Sequence, residues 1–88
     1  MKRKTKTIAL PKKKNICGPR VRLARTRGKP PLSQQELSDR LVKGGFNISP
    51  TDIEKIETGQ RMVRDYEMLL LAEALGVSRD WLFTGRQR

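Results

Sequence analysis

Apolar residues along this 88-residue chain recur three or four apart, in short runs broken by glycine and proline. That spacing is the signature of short amphipathic helices. The clearest organisation lies between Ser33 and Gln60, SQQELSDRLVKGGFNISPTDIEKIETGQ. Ser33 followed by Glu36 forms a capping-box pattern, and Leu37 and Leu41 share one face of the helix it starts. Leu32 stands before the cap as a candidate hydrophobic staple. This helix is expected to run to Val42 or Lys43, where Gly44-Gly45 breaks it. Phe46 and Ile48 should plug the corner. A further helix starts at Ser49-Pro50-Thr51-Asp52, with Ser49 as N-cap, Pro50 at its first position and Asp52 on its positive end. Ile53 and Ile56 form its inward stripe, and Gly59 is its stop. So short a helix does not persist alone and must be held by packing.

Three more helices complete the pattern. Pro19 opens one that runs to about Arg27, with Val21 and Ala24 facing inward; Gly28 ends it and Lys29-Pro30-Pro31 makes a stiff link. Asp65 is expected to cap a helix from Tyr66 to Leu75, ended by Gly76. Its apolar residues (Met68, Leu69, Leu70, Leu71, Ala72, Ala74 and Leu75) nearly encircle the axis, which predicts a central core element with Leu69 and Leu75 buried. Ser78 caps a last helix, Arg79 to about Thr84, that should send Leu82 into the core. Trp81 and Phe83 cannot both follow Leu82 inward. No stretch alternates with the period of a strand, and no segment repeats. The expected fold is all-α, with five helices over residues 18–85 and a basic flexible tail over residues 1–17.

Charge sharpens this picture. There are 20 lysines and arginines against 9 acidic residues, a net charge of +11. Seven of the basic groups (Lys2, Arg3, Lys4, Lys6, Lys12, Lys13 and Lys14) fall within residues 1–17, which carry no acid. The remainder, 13 basic against 9 acidic, is only mildly positive at +4. Such an excess suits a polyanionic partner. The tail has two readings that residues alone leave open. One is a solvated solubilising segment; the other is an arm that follows a DNA backbone or enters a minor groove.

The same composition excludes several classes of chemistry. Histidine is absent and Cys17 is the single cysteine, so no zinc site, histidine-dependent triad or internal disulfide can be assembled. Cys17 reads as an inert thiol at the domain edge. No nucleophile–base constellation is found, and neither a catalytic residue nor a cofactor is expected. No apolar run reaches the roughly 20 residues needed to span a bilayer, and no apolar segment of signal-peptide type follows the basic N-terminus. The expectation is a cytoplasmic, non-enzymatic protein.

Four segments, GPRVRLAR, LSQQELSDRL, IEKIETGQR and LLLAEALGVSRDWL, occur in an order that resembles the lambda-repressor-like helix-turn-helix domains of the Cro/C1 or Xre type. The resemblance covers Gly18 to Gly85. It implies a five-helix DNA-binding domain whose third helix enters the major groove. It places Pro50, Thr51 and Lys55 at the main base-facing positions. Gln34, Ser49, Thr58, Gln60 and Arg61 become the expected phosphate contacts, and Arg25 and Glu57 a partly buried ion pair joining the first helix to the end of the third. The chain departs from the family's pattern in the long VKGGFN connection, in the lengthened loop at Lys29-Pro30-Pro31, and in Pro50 at a position where many relatives carry a polar side chain.

Lysine can donate to guanine O6 or N7, and threonine can meet a base edge or a thymine methyl, so Lys55 and Thr51 have suitable chemistry. Asp52 and Glu54 are read as a capping and a solvated residue, because phosphates would repel them. The implied function is sequence-specific binding of double-stranded DNA by a repressor-type transcriptional regulator. The implied partner is a pseudo-palindromic operator bound by a homodimer, with no small-molecule effector. Trp81, Phe83 or Met62 could supply the dimer patch, or could be core. Two other readings compete. One is an antitoxin-like or adaptor module that uses the same scaffold to bind protein. The other is RNA binding, which the scarcity of aromatic residues disfavours.

Overall fold

A computed structural model describes residues 12–86. It contains five helices in chain order: α1 (Gly18–Arg27), α2 (Gln34–Lys43), α3 (Pro50–Glu57), α4 (Asp65–Leu75) and α5 (Arg79–Thr84). No strand occurs among the described residues. The core gathers one or two side chains from each helix: Val21 of α1, Leu37 and Leu41 of α2, Ile53 and Ile56 of α3, Leu71 and Ala72 of α4, and Leu82 of α5. Phe46 and Ile48 close it from the connection between α2 and α3, as their position at the corner predicts. Each fully buried Leu or Ile stabilises the fold by about 1.5–3 kcal/mol.

The start signals act as local chemistry dictates. Ser33 Oγ accepts from the Glu36 N–H while Glu36 accepts from the Ser33 N–H, at 3.0 and 2.8 Å. Ser49 and Asp52 make the same reciprocal pair at α3, at 3.1 and 3.2 Å. Asp52 thus does more than favour the helix dipole, since it completes a capping box. The Ser49 N–H and hydroxyl hold its carboxyl below the ordinary carboxylate range.

Helix α4 departs from expectation at both its start and its burial. Asp65 is its first residue rather than its cap. The cap position is Arg64, whose N–H is satisfied by the carboxylate of Glu67 at 3.0 Å. Glu67 is itself buried. Leu69 is not core but 44% exposed; Leu75 packs partly buried against the core. The apolar residues do surround the helix, but neighbours bury only Leu71 and Ala72 among them; Met68, Leu70, Ala74 and Leu75 are partly covered and Leu69 faces solvent. On α5, Leu82 is fully buried, Trp81 packs partly against the core and Phe83 points to solvent.

The N-terminal segment joins the domain earlier than its charge suggests. Cys17 is fully buried in the core, not at the edge, and burial raises its thiol above the ordinary value. Asn15 donates to the carbonyls of Ile56 and Arg61, at 3.0 and 2.7 Å, and accepts from the Gly18 N–H at 2.8 Å. It thereby stitches the entry of α1 to the end of α3. Helix α1 can come this close because residue 18 is glycine, where a Cβ would collide with the Ile56 carbonyl oxygen. Residues 12–17 of the expected tail are therefore seated on the domain, and residues 1–11 lie outside the described residues.

Candidate nucleic-acid interface

Helix α3 presents one exposed face. With Ile53 and Ile56 turned fully inward, Thr51, Glu54, Lys55 and Thr58 face solvent at positions i, i+3, i+4 and i+7. Thr51 and Lys55 are adjacent on that face. Pro50 sits half-buried at the first helical position. The helix is only eight residues long, so its orientation is imposed from outside.

Beside the burial of Ile53 and Ile56, one external constraint is a buried ionic cluster. Arg25 Nε donates to Glu57 Oε2 at 2.7 Å, and Arg25 Nη2 to Glu57 Oε1 at 3.0 Å, a two-pronged pairing. The side chains are 11% and 4% exposed. Gln34 Nε2 donates to the same Glu57 oxygen at 3.1 Å, and Arg25 Nη1 donates to the Leu32 carbonyl at 2.8 Å. One carboxylate at the end of α3 thus fastens α1, the entry to α2 and α3 together. Charge-assisted bonds of this kind are short and directional, and they fix orientation. On the core side, Ser38 Oγ donates to the Ile48 carbonyl at 2.6 Å and holds the connection against α2.

The expected phosphate contacts are in different situations. Gln34 stands at the first position of α2 with its amide directed to Glu57. Both the N–H and the Oγ of Ser49 serve the cap of α3. Thr58 donates its hydroxyl back to the Glu54 carbonyl at 3.0 Å. Gln60 is exposed. The guanidinium of Arg61 faces Glu67 at 3.3 and 3.5 Å and lies 6.0 Å from the centre of the Phe46 ring. Arg61 thus carries a structural task, joining the end of α3 to the start of α4.

The structure adds residues that composition had assigned to the tail. The Lys14 N–H donates to the Gly59 carbonyl at 2.8 Å, and Lys13 Nζ donates to the Thr58 carbonyl at 3.1 Å. Gly59 has φ +82°, and the Lys13 side chain lies across its α-carbon, where a Cβ would collide with it. A lysine at these last carbonyls meets the negative end of the helix dipole. The signal for this docking was weak: Asn15 just ahead of Gly18-Pro19 is a turn and cap residue, but its partners lie more than 40 positions away.

Among the described residues no group of three or more potential metal ligands occurs, and no helix is long and apolar enough to cross a membrane.

Comparisons with known proteins agree with this architecture. No curated protein matches the chain. Among solved structures, the chain is similar to the P22 c2 repressor, crystallised in complex with synthetic operator 9T in the presence of Tl+. The two share 25% sequence identity over 82% of this chain and 98% of that one, with a TM-score of 0.66. A helix-turn-helix family model of the Cro/C1 type matches residues 23–82. The match runs from α1 through α5, so the chain belongs to the Cro/C1-type helix-turn-helix family.

Proposed function

We propose that this protein binds double-stranded DNA sequence-specifically, with α3 in the major groove, and acts as a repressor-type transcriptional regulator. The observation that carries this reading is the exposed Thr51–Lys55 face of α3, held rigid by Ile53, Ile56 and the Arg25–Glu57 pair. Family membership supports it, as does the operator bound to the P22 c2 repressor. Thr51 and Lys55 are the base readers, with Pro50 in apolar contact beside them. Phosphate gripping falls to Gln60, to the N-terminal end of α2 at Gln34 and to the N-terminal end of α3 at Ser49, with Thr58 beside them. Arg61 supports the frame instead. Two copies bind a pseudo-palindromic operator in the cytoplasm; Met62 and Phe83, at 62% and 51% exposure, offer apolar surface for pairing, whereas Trp81 is partly taken up by the core. No catalytic step is assigned.

Lys55→Ala tests the reading. A good base contact contributes roughly 1–3 kcal/mol of discrimination, so binding to the preferred duplex should weaken about 5- to 150-fold while binding to unrelated duplex changes far less. Equal losses on both would show that Lys55 meets only phosphate and that α3 does not read bases through it.

A further inference from the structure

Lys12, Lys13 and Lys14 line one shallow groove together with Thr58, Gly59 and Gln60. This segment does not hang from the domain. The main chain of Lys14 is bonded to Gly59, Lys13 reaches the Thr58 carbonyl just past α3, and Asn15 is pinned to Ile56 and Arg61. Its direction and position are therefore set by the same residues that end the proposed reading helix. All three lysines are exposed. The cation of Lys13 is directed to the Thr58 carbonyl, whereas Lys14 is anchored through its backbone, which leaves its side chain outside the anchoring bonds. On the same edge the Arg61 guanidinium is turned toward Glu67.

From this arrangement we infer that Lys12 and Lys14 form a phosphate-gripping edge continuous with the C-terminal end of α3, fixed in place by Lys13 and Asn15. The inference rests on the proposed binding of duplex DNA and assigns part of the grip to residues before the helical domain. The ligand is the duplex sugar-phosphate backbone flanking the groove that α3 enters. Lysine suits this task as a point charge with rotatable donors, and contacts of this kind position a protein without reading sequence.

The full chain carrying Lys12→Gln and Lys14→Gln tests the inference. Affinity for a fixed duplex is measured by fluorescence anisotropy between 50 and 200 mM salt. Each phosphate neutralised on duplex DNA contributes about 0.9 to the slope of log affinity against log salt. Losing two contacts should make the slope shallower by about 1.8, so that the affinity lost over this fourfold salt range is about 12-fold smaller than for the wild type. The thermal midpoint should not move, because neither substituted side chain anchors the segment. A second variant, Arg79→Gln with Arg86→Gln, removes equal charge from the α5 segment and should leave the slope near the wild-type value. A wild-type slope in the first variant overturns the inference, as does an equal change in both variants. If wild-type protein shows no salt-dependent duplex binding, the proposed function itself fails, and that result is distinct from either.

Discussion

Glu57→Ala offers the most searching test of how α3 is held. Glu57 accepts two bonds from Arg25 and one from Gln34. Its removal strands a guanidinium whose side chain is 11% exposed, with the Leu32 carbonyl as its remaining partner. Breaking a buried ion pair from one side costs about 3–5 kcal/mol, because the surviving charge stays desolvated. The Leu32 carbonyl and the slight exposure of Arg25 place this case at the lower end, about 3 kcal/mol. A domain of this size is stable by roughly 4–13 kcal/mol in all, and each kcal/mol moves the thermal midpoint by about 4–8 °C. The midpoint should therefore fall by about 12–24 °C. Urea denaturation followed by far-UV circular dichroism gives the free energy, and an unchanged denaturant slope confirms that the native state is intact. Arg25→Met combined with Glu57→Leu should recover most of the loss, since well-packed apolar replacements of buried pairs are often neutral. Raising salt to 1 M should weaken the wild type little, because a pair this buried is poorly screened. A loss below about 1 kcal/mol for Glu57→Ala would put the pair in the range of a surface salt bridge. That result would refute the idea that it fixes α3.

Three further outcomes follow from the packing. Gly18→Ala should destabilise by about 1–3 kcal/mol, as overpacking does, because its Cβ meets the Ile56 carbonyl; a urea midpoint within error of the wild type would contradict that close approach. Leu71→Ala should cost about 2–5 kcal/mol, whereas Leu69→Gln should stay within about 0.5 kcal/mol as an exposed substitution does; comparable losses would mean that Leu69 is covered after all. Asp52 has its carboxyl lowered by Ser49, so its contribution is present above the unfolded value of about 3.9 and disappears as pH falls through the lower native value. Asp52→Ala should therefore be less stable than the wild type near pH 6, and the gap should narrow toward pH 2; a gap constant with pH would exclude the carboxylate as the source.

What could be read from the sequence was largely local. The Ser33–Glu36 capping box, the Ser49 N-cap, the inward Ile53–Ile56 stripe and the Leu82 anchor each follow from residues within one or two helical turns, and all stand in the structure. The Arg25–Glu57 pairing was implied by the family resemblance, because nothing in the spacing of residues 32 positions apart joins them. The start of α4 differs from the expected Asp65 cap because its cap works backwards. Arg64 has no acceptor to offer, and Glu67, three residues later, satisfies its N–H instead. Leu69 is exposed against expectation because an apolar surround says what a helix could bury, while neighbouring helices decide what it does bury. For the lysines at 12–14 the residues alone leave a solvated segment and a DNA-following arm equally open. Their docking depends on carbonyls freed at the end of α3, which no local rule connects to them. The Arg61–Glu67 pairing is not legible for a similar reason: the carboxylate partner lies across a connector with no regular period.

The residues of the proposed reading surface have the plainest dependence on sequence order. Thr51 and Lys55 are exposed because Ile53 and Ile56 are buried, and the interval of four brings them onto one face. The most direct measurement is selection of bound fragments from a pool of random-sequence duplexes, using the full wild-type chain. The expected result is strong enrichment of a sequence with two related half-sites whose centres lie about 10–10.5 base pairs apart. A retained pool indistinguishable from the input, at salt where binding is still measurable, would contradict sequence-specific recognition by α3.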